Sequence, residues 1–262
     1  MIIQYFSEKK YDQLVKDFIN AQTSYVFIEE IGVGAYGVAY LLEDPASCNK
    51  YVLKRMKTKH RRKGKIRQKF AQEIKILKEI GLPNVPAVIS HGEIQEIPYY
   101  IMDYIEGKTF EQAIFIDGQT FPLERSLQIT KELIKIIIEF HKKGIVHRDL
   151  RIPNILFKDN KLSIIDFGLA AYMNKELGIA DIDNPKRAGN HISDLYFIGH
   201  FLLFLLYSTY SPTHKKEYSW QEELHLPREV VDYIERLLLI RPAFINAEDA
   251  LNGIPYQNTN IR

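Results

Sequence analysis

Apolar residues recur at helical spacing near the start of the chain and then in short strand-like runs. The first pattern predicts a helix from about Ser7, as its cap, to Asn20. Runs rich in β-branched and aromatic residues follow at 25–31, 38–42 and 51–53. The apolar face of the helix is formed by Tyr11, Leu14, Val15, Phe18 and Ile19. We expect this helix to pack on the body of the domain, and the alternative is that it docks a partner.

Helical spacing returns further along the chain. It predicts a helix over Phe70 to Ile80, followed by strand-like runs at 87–90 and 98–104. The longest helical pattern runs from Leu123 to Lys142, and Thr130 is the one polar residue on its apolar face. This helix leads directly into the segment with the most candidate chemistry.

That segment is Ile145 to Ala170, in which polar residues flank two short apolar runs. Asp149 and Asn154 precede the first run, and Asp166-Phe167-Gly168 follows the second. Phosphoryl transfer needs one carboxylate to orient a hydroxyl and two oxygen-bearing groups to hold Mg²⁺. We expect Asn154 and Asp166 at the two ends of a β-hairpin, where one rigid element presents both.

A glycine-rich stretch, Gly32 to Gly37, lies between two predicted strands. Gly-x-Gly-x-x-Gly alone is a weak signal, because Rossmann folds also use it. Rossmann glycines open a helix, whereas a strand follows here, and Lys54 stands where a ribose-binding acid is expected. A glycine-rich hairpin over phosphates explains the pattern better.

Together these segments resemble the Hanks-type protein kinase family, in a short stand-alone bacterial form without the Ala-Pro-Glu motif. His147-Arg148-Asp149 with Asn154 is similar to the catalytic loop, and Asp166-Phe167-Gly168 to the metal-binding motif. The resemblance implies a bilobal α+β fold. It places the N-terminal lobe at 1–102, the hinge at 103–105 and the C-terminal lobe at 106–262.

The resemblance also implies ATP and Mg²⁺ as cofactors and gives each site residue a role. Asp149 would orient the acceptor hydroxyl, Arg151 would neutralise the γ-phosphate, and Asn154 with Asp166 would hold Mg²⁺. Lys54, held by Glu73, would neutralise the α- and β-phosphates. The expected nucleotide-binding residues are Ile31, Gly32, Gly34, Gly37, Val52, Lys54, Glu73, Met102, Asp103, Ile105 and Leu156.

The chain departs from the family pattern near its expected peptide-docking segment. Arg151 stands where Ser/Thr kinases commonly have lysine, and no Ala-Pro-Glu motif lies between Asp166 and Asp194. Asp194 resembles the aspartate that braces the catalytic loop, and Arg241 resembles the arginine that pairs with the missing glutamate. A protein substrate is therefore implied by the family alone. A small-molecule phosphotransferase and a nucleotide-binding regulatory module are the alternatives.

The segment between Leu169 and Ile192 contains no Ser or Thr. We therefore predict that phosphorylation of this segment does not activate the protein. In its place we expect one of three carboxylates to face Arg148, namely Glu176, Asp181 or Asp183. The alternatives are phosphorylation of Tyr172 and a loop that only substrate orders.

Charge is unevenly distributed. The net charge is +2, yet Lys54 to Lys69 contains ten Lys and Arg residues and no acid, so the remainder carries 2 − 10 = −8. We expect a mobile basic loop at 57–65, either simply solvated or bound to an anionic partner. The single cysteine, Cys48, excludes an internal disulfide, and the apolar run 195–207 is too short for a membrane span. A cytoplasmic protein is expected.

Overall fold

The computed structural model describes residues 2–174, 176–178, 182–211 and 218–255, with side chains from Glu8 onward. The chain divides into two compact units, residues 1–105 and 106–262. The first is built on a β-sheet and the second is mainly helical. The predicted α+β class is confirmed.

The first unit combines two helices with an antiparallel sheet. The elements are helix α1 (Ile2–Gln22), strands β1 (Val26–Val33), β2 (Gly37–Glu43) and β3 (Lys50–Met56), helix α2 (Gly64–Ile80), and strands β4 (Val88–Ile94) and β5 (Ile97–Asp103). The strands lie in the order β1-β2-β3-β5-β4. A 3₁₀ turn over Thr58–His60 connects β3 to α2.

The two helices cover opposite faces of this sheet. Neighbouring side chains in a strand point to opposite faces. In β3, Lys54 reaches Glu73 of α2, whereas Arg55 reaches Glu8 of α1. The apolar stripe predicted for α1 is its packing face, since Tyr11, Val15 and Ile19 are buried.

Two helices begin earlier than the sequence predicted. Helix α1 begins at Ile2, so Ser7 lies inside it and does not cap it. Helix α2 begins at Gly64, so the last part of the predicted basic loop is helical and the loop prediction is wrong there. The first two turns of α2 are mostly exposed, and the apolar periodicity begins only at Phe70.

Helices α4 (Leu123–Lys142) and α5 (His191–Tyr207) contribute most of the buried helical residues of the second unit. Helix α4 buries the face predicted for it, including Leu133 and Ile137. Thr130 is also buried, and its hydroxyl donates to the carbonyl of Ser126 at 2.8 Å. The polar interruption is therefore satisfied within the helix. Helix α5 is capped by Asn190, whose side chain accepts from the N–H of Ile192.

The elements of the second unit follow in chain order. They are strand β6 (Lys108–Thr109), helices α3 (Phe110–Phe115) and α4 (Leu123–Lys142), strands β7 (Ile145–Val146), β8 (Ile155–Lys158), β9 (Lys161–Ile164) and β10 (Ala171–Tyr172), and helices α5 (His191–Tyr207), α6 (Trp220–Glu223), α7 (Arg228–Leu237) and α8 (Ala247–Asn252). None of the helices described here is both long and apolar enough to cross a bilayer.

Candidate active site

Lys54 and Glu73 form a buried ion pair in the first unit. Nζ of Lys54 lies 2.6 Å from Oε1 of Glu73, and the two side chains are 17% and 5% exposed. The hydroxyl of Tyr100 donates to the same Oε1 at 2.9 Å. Low exposure strengthens the pair, because little water screens it. The structure therefore brings together two of the predicted site residues.

The glycine-rich loop connects β1 to β2. The N–H of Gly34 donates to the carbonyl of Gly37 at 3.0 Å. A Cβ on Gly37 would lie 2.8 Å from the carbonyl oxygen of Arg55, so only glycine fits there. Cβ atoms on Gly32 and Gly34 would meet no described atom closer than 3.8 Å. Packing on β3 thus explains Gly37, whereas the space beside Gly32 and Gly34 is open.

The predicted hinge has its backbone donors partly occupied. The N–H of Asp103 donates to the carbonyl of Ala87 at 3.0 Å, and that of Tyr104 to Lys50 at 3.3 Å. For the N–H of Ile105, the described residues provide no acceptor. Of the three predicted hinge residues, Ile105 is therefore the one with an N–H available to a ligand.

The other predicted nucleotide-binding residues differ in exposure. Val52 is buried on β3, Met102 is half-buried on β5, and Ile31 is exposed on β1. Leu156 belongs to the second unit, where it is buried on β8. Their proposed contact with a nucleotide remains a prediction.

The hairpin of β8 and β9 places Asn154 and Asp166 at its open end. Ile155 pairs with Ile164, and the N–H of Ile165 donates to the carbonyl of Asn154 at 3.0 Å. Asp166 is exposed and has φ of 60°, a left-handed conformation that is uncommon outside glycine. The two candidate metal ligands thus lie just before the first strand of the hairpin and just after the second, as the sequence predicted.

Asp149 has a buried carboxylate held by two neighbours. Arg151 donates to it twice, from Nε to Oδ1 at 2.5 Å and from Nη2 to Oδ2 at 3.0 Å. Asn154 Nδ2 donates to Oδ2 and to the Asp149 carbonyl, each at 2.9 Å. The hydrogen bond to Asp149 raises the pKa of Arg151, so its guanidinium stays charged.

Asp194 braces the backbone before Asp149. Its carboxylate accepts from the N–H groups of His147 at 3.0 Å and Arg148 at 2.7 Å, and His141 Nε2 lies 2.9 Å away. Burial by itself would raise the pKa of Asp194, but hydrogen bonding to His141 and Arg148 holds it below its usual range. A charged carboxylate therefore fixes the backbone of the predicted catalytic loop.

His147 is completely buried against the ring of Phe167, with centroids 4.6 Å apart. Its Nδ1 accepts from the N–H of Asp149 at 3.3 Å. Burial lowers the pKa of His147, so its imidazole is neutral at pH 7.

The guanidinium of Arg148 has a different partner from the one expected. Its Nη2 donates to the main-chain carbonyl of Arg187 at 3.0 Å. Among the described carboxylates, neither Glu176 nor Asp183 pairs with it, so the prediction is wrong for these two. Asp181 lies outside the described residues. The prediction considered only side chains as partners of Arg148, because a main-chain acceptor cannot be identified from the residue types of this segment.

The basic run 54–69 is partly neutralised by acids distant in sequence. Lys54 pairs with Glu73 and Arg55 with Glu8 and Asp12. Arg61 and Arg67 pair with Glu96 and Glu93. The remaining cations form no ion pair within the described chain, and they are Lys57, Lys59, Arg62, Lys63, Lys65 and Lys69.

Arg241 has partners on helix α7. Its Nε lies 2.6 Å from Oε2 of Glu235, and its Nη2 lies 3.0 Å from Oδ1 of Asp232. The chain has no Ala-Pro-Glu glutamate to pair with Arg241, and two acids close in sequence pair with it instead.

The donor set at the hairpin fits Mg²⁺. Asn154 directs its Nδ2 at Asp149, so its Oδ1 accepts from no donor in the described chain. Asp166 adds an exposed carboxylate. No three His, Cys, Asp or Glu side chains in the described residues form a metal-binding group. Two protein oxygens suit a Mg²⁺ ion whose other ligands are phosphate and water.

Sequence reasoning missed the residues that support this chemistry. Tyr100 holds Glu73, His141 contacts Asp194, and Arg55 links β3 to α1. Only Arg55 had a visible signal, since it is a charged residue between the apolar positions Leu53 and Met56. The other two look like ordinary residues of an apolar strand and a helix end.

The sequence is similar to those of known protein kinases. A family model described as the protein kinase domain matches residues 25–184. The probable serine/threonine-protein kinase YbdM of Bacillus subtilis is 36% identical over 244 residues, which cover 93% of each chain. Serine/threonine-protein kinase PrkC of the same organism is 28% identical, and the match covers 70% of this chain but 30% of PrkC.

A solved structure shares the fold. The kinase domain of PknI from Mycobacterium tuberculosis aligns with a TM-score of 0.65 and 19% identity. The alignment covers 88% of this chain and 94% of that one.

Proposed function

This chain belongs to the protein kinase family, and on that premise we propose that it transfers the γ-phosphoryl group of ATP to a serine or threonine hydroxyl of a protein. One observation carries the proposal: the buried Asp149 carboxylate is held by both Arg151 and Asn154. A catalytic carboxylate must be fixed within hydrogen-bond reach of its hydroxyl.

Asp149 has room for one further hydrogen bond on Oδ1. Each carboxylate oxygen has two lone pairs. Among the described residues, Oδ1 accepts only from Arg151 Nε, whereas Oδ2 accepts twice. The acceptor hydroxyl would donate to Oδ1. Its oxygen then bonds to the γ-phosphorus as the bond to the β-phosphate oxygen breaks, which leaves ADP and passes the hydroxyl proton to Asp149.

Lys54 would neutralise the α- and β-phosphate oxygens. Glu73 fixes the Lys54 ammonium at 2.6 Å, and Tyr100 fixes Glu73 in turn. The glycine-rich loop, with open space beside Gly32 and Gly34, would let its backbone approach the phosphates. Positioning and charge neutralisation carry most of such a reaction, because its transition state is loose.

Asn154 Oδ1 and the Asp166 carboxylate would hold Mg²⁺. When bound, this ion neutralises charge on the phosphate oxygens. Asn154 thereby serves two purposes, since its amide nitrogen also orients Asp149.

Arg151 would contact the γ-phosphate from the same position. Its side chain is 58% exposed at the Asp149 pair, so it can turn toward a phosphate without being released from a core. A planar guanidinium can bind carboxylate and phosphate through separate N–H groups.

A protein substrate is favoured over a small molecule by Arg148, whose counterpart is usually absent from small-molecule phosphotransferases of this fold. The names of YbdM and PrkC point to Ser and Thr as acceptors. A nucleotide-binding module without transfer is the non-enzymatic alternative.

The test is transfer of labelled phosphate from ATP, with casein as the acceptor. We expect Asp149→Asn and Asp166→Asn to abolish transfer. The matched control is Asp159→Asn in the hairpin turn, which removes the same charge from a residue outside the cluster. Transfer by Asp166→Asn at the wild-type rate would refute the proposal, and labelling of an aminoglycoside or sugar instead of casein would favour the small-molecule alternative.

Two further expectations remain proposals. The six cations between Lys57 and Lys69 that lack ion pairs in the described chain would bind an anionic partner. A cytoplasmic location is proposed on the single cysteine, Cys48, which is free.

A further inference from the structure

Arg55 is a buried charge on the strand that carries Lys54. Its side chain is 1% exposed, and it points to the face of the sheet covered by α1. A guanidinium stays protonated inside a protein, so its charge must be paired there. Any residue that pairs with Arg55 therefore helps to fix strand β3 at the position next to Lys54.

Helix α1 provides these partners. Nη1 of Arg55 donates to Glu8 Oε2 at 2.8 Å, and Nη2 donates to Asp12. Nε donates at 2.7 Å to the hydroxyl of Tyr40, which itself donates to Asp12. The ring of Tyr11 lies 5.0 Å from the guanidinium carbon. A single turn of α1 thus closes over Arg55.

Glu8 also holds the segment that follows β3. Its Oε1 accepts from the N–H of Thr58 at 2.8 Å and from the hydroxyl at 2.5 Å. Burial acts to raise the pKa of Glu8, but these bonds and Arg55 hold it below its usual range. One charged carboxylate therefore bridges β3 and the 3₁₀ turn over Thr58–His60.

The same turn contacts the tip of the glycine-rich loop. The N–H of Lys57 donates to the carbonyl of Tyr36 at 2.8 Å, and His60 Nε2 lies 3.4 Å from the carbonyl of Ala35. The rings of Tyr36 and His60 are 5.7 Å apart. A few residues later the chain enters α2, which carries Glu73.

We propose that Glu8 and Asp12 are positioning residues for ATP. Through Arg55 and Thr58, they fix the strand of Lys54, the tip of the glycine-rich loop and the entry to α2. The inference rests on the proposed function, because it takes these three parts as the phosphate-binding elements. Loss of the Glu8 bridge frees the turn, and the phosphate-binding groups then no longer hold one arrangement.

The decisive variant is Glu8→Gln, which removes the charge opposite Arg55 and keeps the size of the side chain. Asp17→Asn is the matched control, because Asp17 lies on the same helix, is exposed, and among the described residues accepts only from Gln13, at 2.9 Å. We expect Glu8→Gln to raise KM for ATP about tenfold and to change KM for casein less than twofold. The control should match the wild type.

This pattern separates positioning from stability. A purely structural role reduces the fraction of folded enzyme, which lowers the apparent kcat and leaves KM for ATP unchanged. An unchanged KM for ATP in Glu8→Gln would therefore overturn the inference. If Glu8→Gln does not fold, Thr58→Val decides in its place, since it removes the hydroxyl donor to Glu8 and leaves Arg55 paired.

Calorimetric titration with Mg·ATP keeps the inference independent of catalysis. If the wild type binds ATP without phosphorylating casein, the proposed function fails but the comparison of affinities still applies. Equal affinity of the wild type and Glu8→Gln would overturn the inference. An affinity reduced about tenfold in Glu8→Gln and unchanged in Asp17→Asn would support it.

Discussion

The side-chain amide of Asn154 donates twice to Asp149, once to its carbonyl and once to Oδ2, each at 2.9 Å. These bonds determine which way the amide faces. Its nitrogen is directed at the candidate base, and its oxygen is left for a metal ion. One residue therefore links proton handling to metal binding.

Replacing this amide with a carboxylate should be strongly damaging. In Asn154→Asp the donor to Asp149 Oδ2 becomes a second negative charge beside it. We expect the rate of phosphate transfer to casein to fall at least a hundredfold, about 2.7 kcal/mol of barrier. Asn160→Asp in the same hairpin is the control, since the side chain of Asn160 accepts from Arg125 at 2.7 Å and has no other partner in the part of the chain that the structure describes. A rate within threefold of the wild type for Asn154→Asp would contradict this role.

The hydroxyl of Tyr100 should have a smaller effect on the same reaction. Tyr100→Phe removes one hydrogen bond to the buried Glu73 and leaves the Lys54 pair in place. A hydrogen bond to a charged group contributes about 1.5–3 kcal/mol, part of which the ion pair can recover. We expect kcat/KM for ATP to fall roughly fivefold to tenfold. Tyr99→Phe, on the opposite face of β5, should leave it unchanged.

Lowering the pH should destabilise the protein at pH values well above those at which carboxylates are protonated. Burial lowers the pKa of His147, so below its ordinary value of about 6.5 the unfolded chain binds a proton that the folded chain does not. The free energy of unfolding therefore falls as pH falls through 6.5, by up to about 1.4 kcal/mol per pH unit for this residue. Burial also lowers the pKa of His191 and of His200, so these two residues contribute to the same loss of stability.

Urea unfolding between pH 7.5 and 5.5 measures this dependence. His147→Phe should reduce the slope by up to about one proton, because the folded wild type keeps this imidazole neutral. An equal slope in the wild type and His147→Phe would mean that His147 is not buried as a neutral imidazole.

Asp194 should add a second loss of stability at lower pH. Its pKa is held below the usual range by hydrogen bonds, so its contribution is complete above about 4 and is lost as pH falls through the folded-state value. Asp194→Asn removes this part of the pH dependence. Transitions followed by circular dichroism below pH 4 test it.

Activation should not depend on phosphorylation between Leu169 and Ile192. That segment has no Ser or Thr, and Arg148 already donates to the carbonyl of Arg187. Protein prepared with a phosphatase should therefore match autophosphorylated protein in activity. A rise of about tenfold or more that maps to this segment would contradict the prediction. Tyr172→Phe controls for the one hydroxyl side chain in it.

The basic run should bind a polyanion weakly and with strong salt dependence. Six of its ten cations lack ion pairs in the described chain, so the slope of log K against log salt for duplex DNA should not exceed about 5 in magnitude. Charge reversal at Lys59, Arg62 and Lys63 should abolish binding, whereas reversal at Lys131, Lys135 and Lys142 should not. Binding that is insensitive to salt would exclude an electrostatic partner surface.

The order of local patterns determined much of this protein. Helical spacing gave α4 with its bounds, Leu123–Lys142, because its apolar face repeats over five turns. The hairpin that carries Asn154 and Asp166 was also predictable, since two short apolar runs separated by a polar turn have few other solutions. The glycine-rich loop between β1 and β2 was predictable as well. A strand-like run follows its glycines, and Lys54 stands where a Rossmann fold has an acid.

Tertiary structure alone decided how the charges pair. Glu8 and Arg55 are 47 residues apart, and nothing in the local sequence distinguishes Glu8 from other exposed acids until α1 packs on the sheet. The same holds for Arg61 with Glu96 and for His141 with Asp194. Even the start of α2 escaped prediction, because its first turns carry little apolar periodicity and the ion pair of Arg67 is formed with Glu93, a residue distant in sequence. Periodicity records which face of an element is buried, whereas the partner of a buried charge depends on which elements the fold brings together.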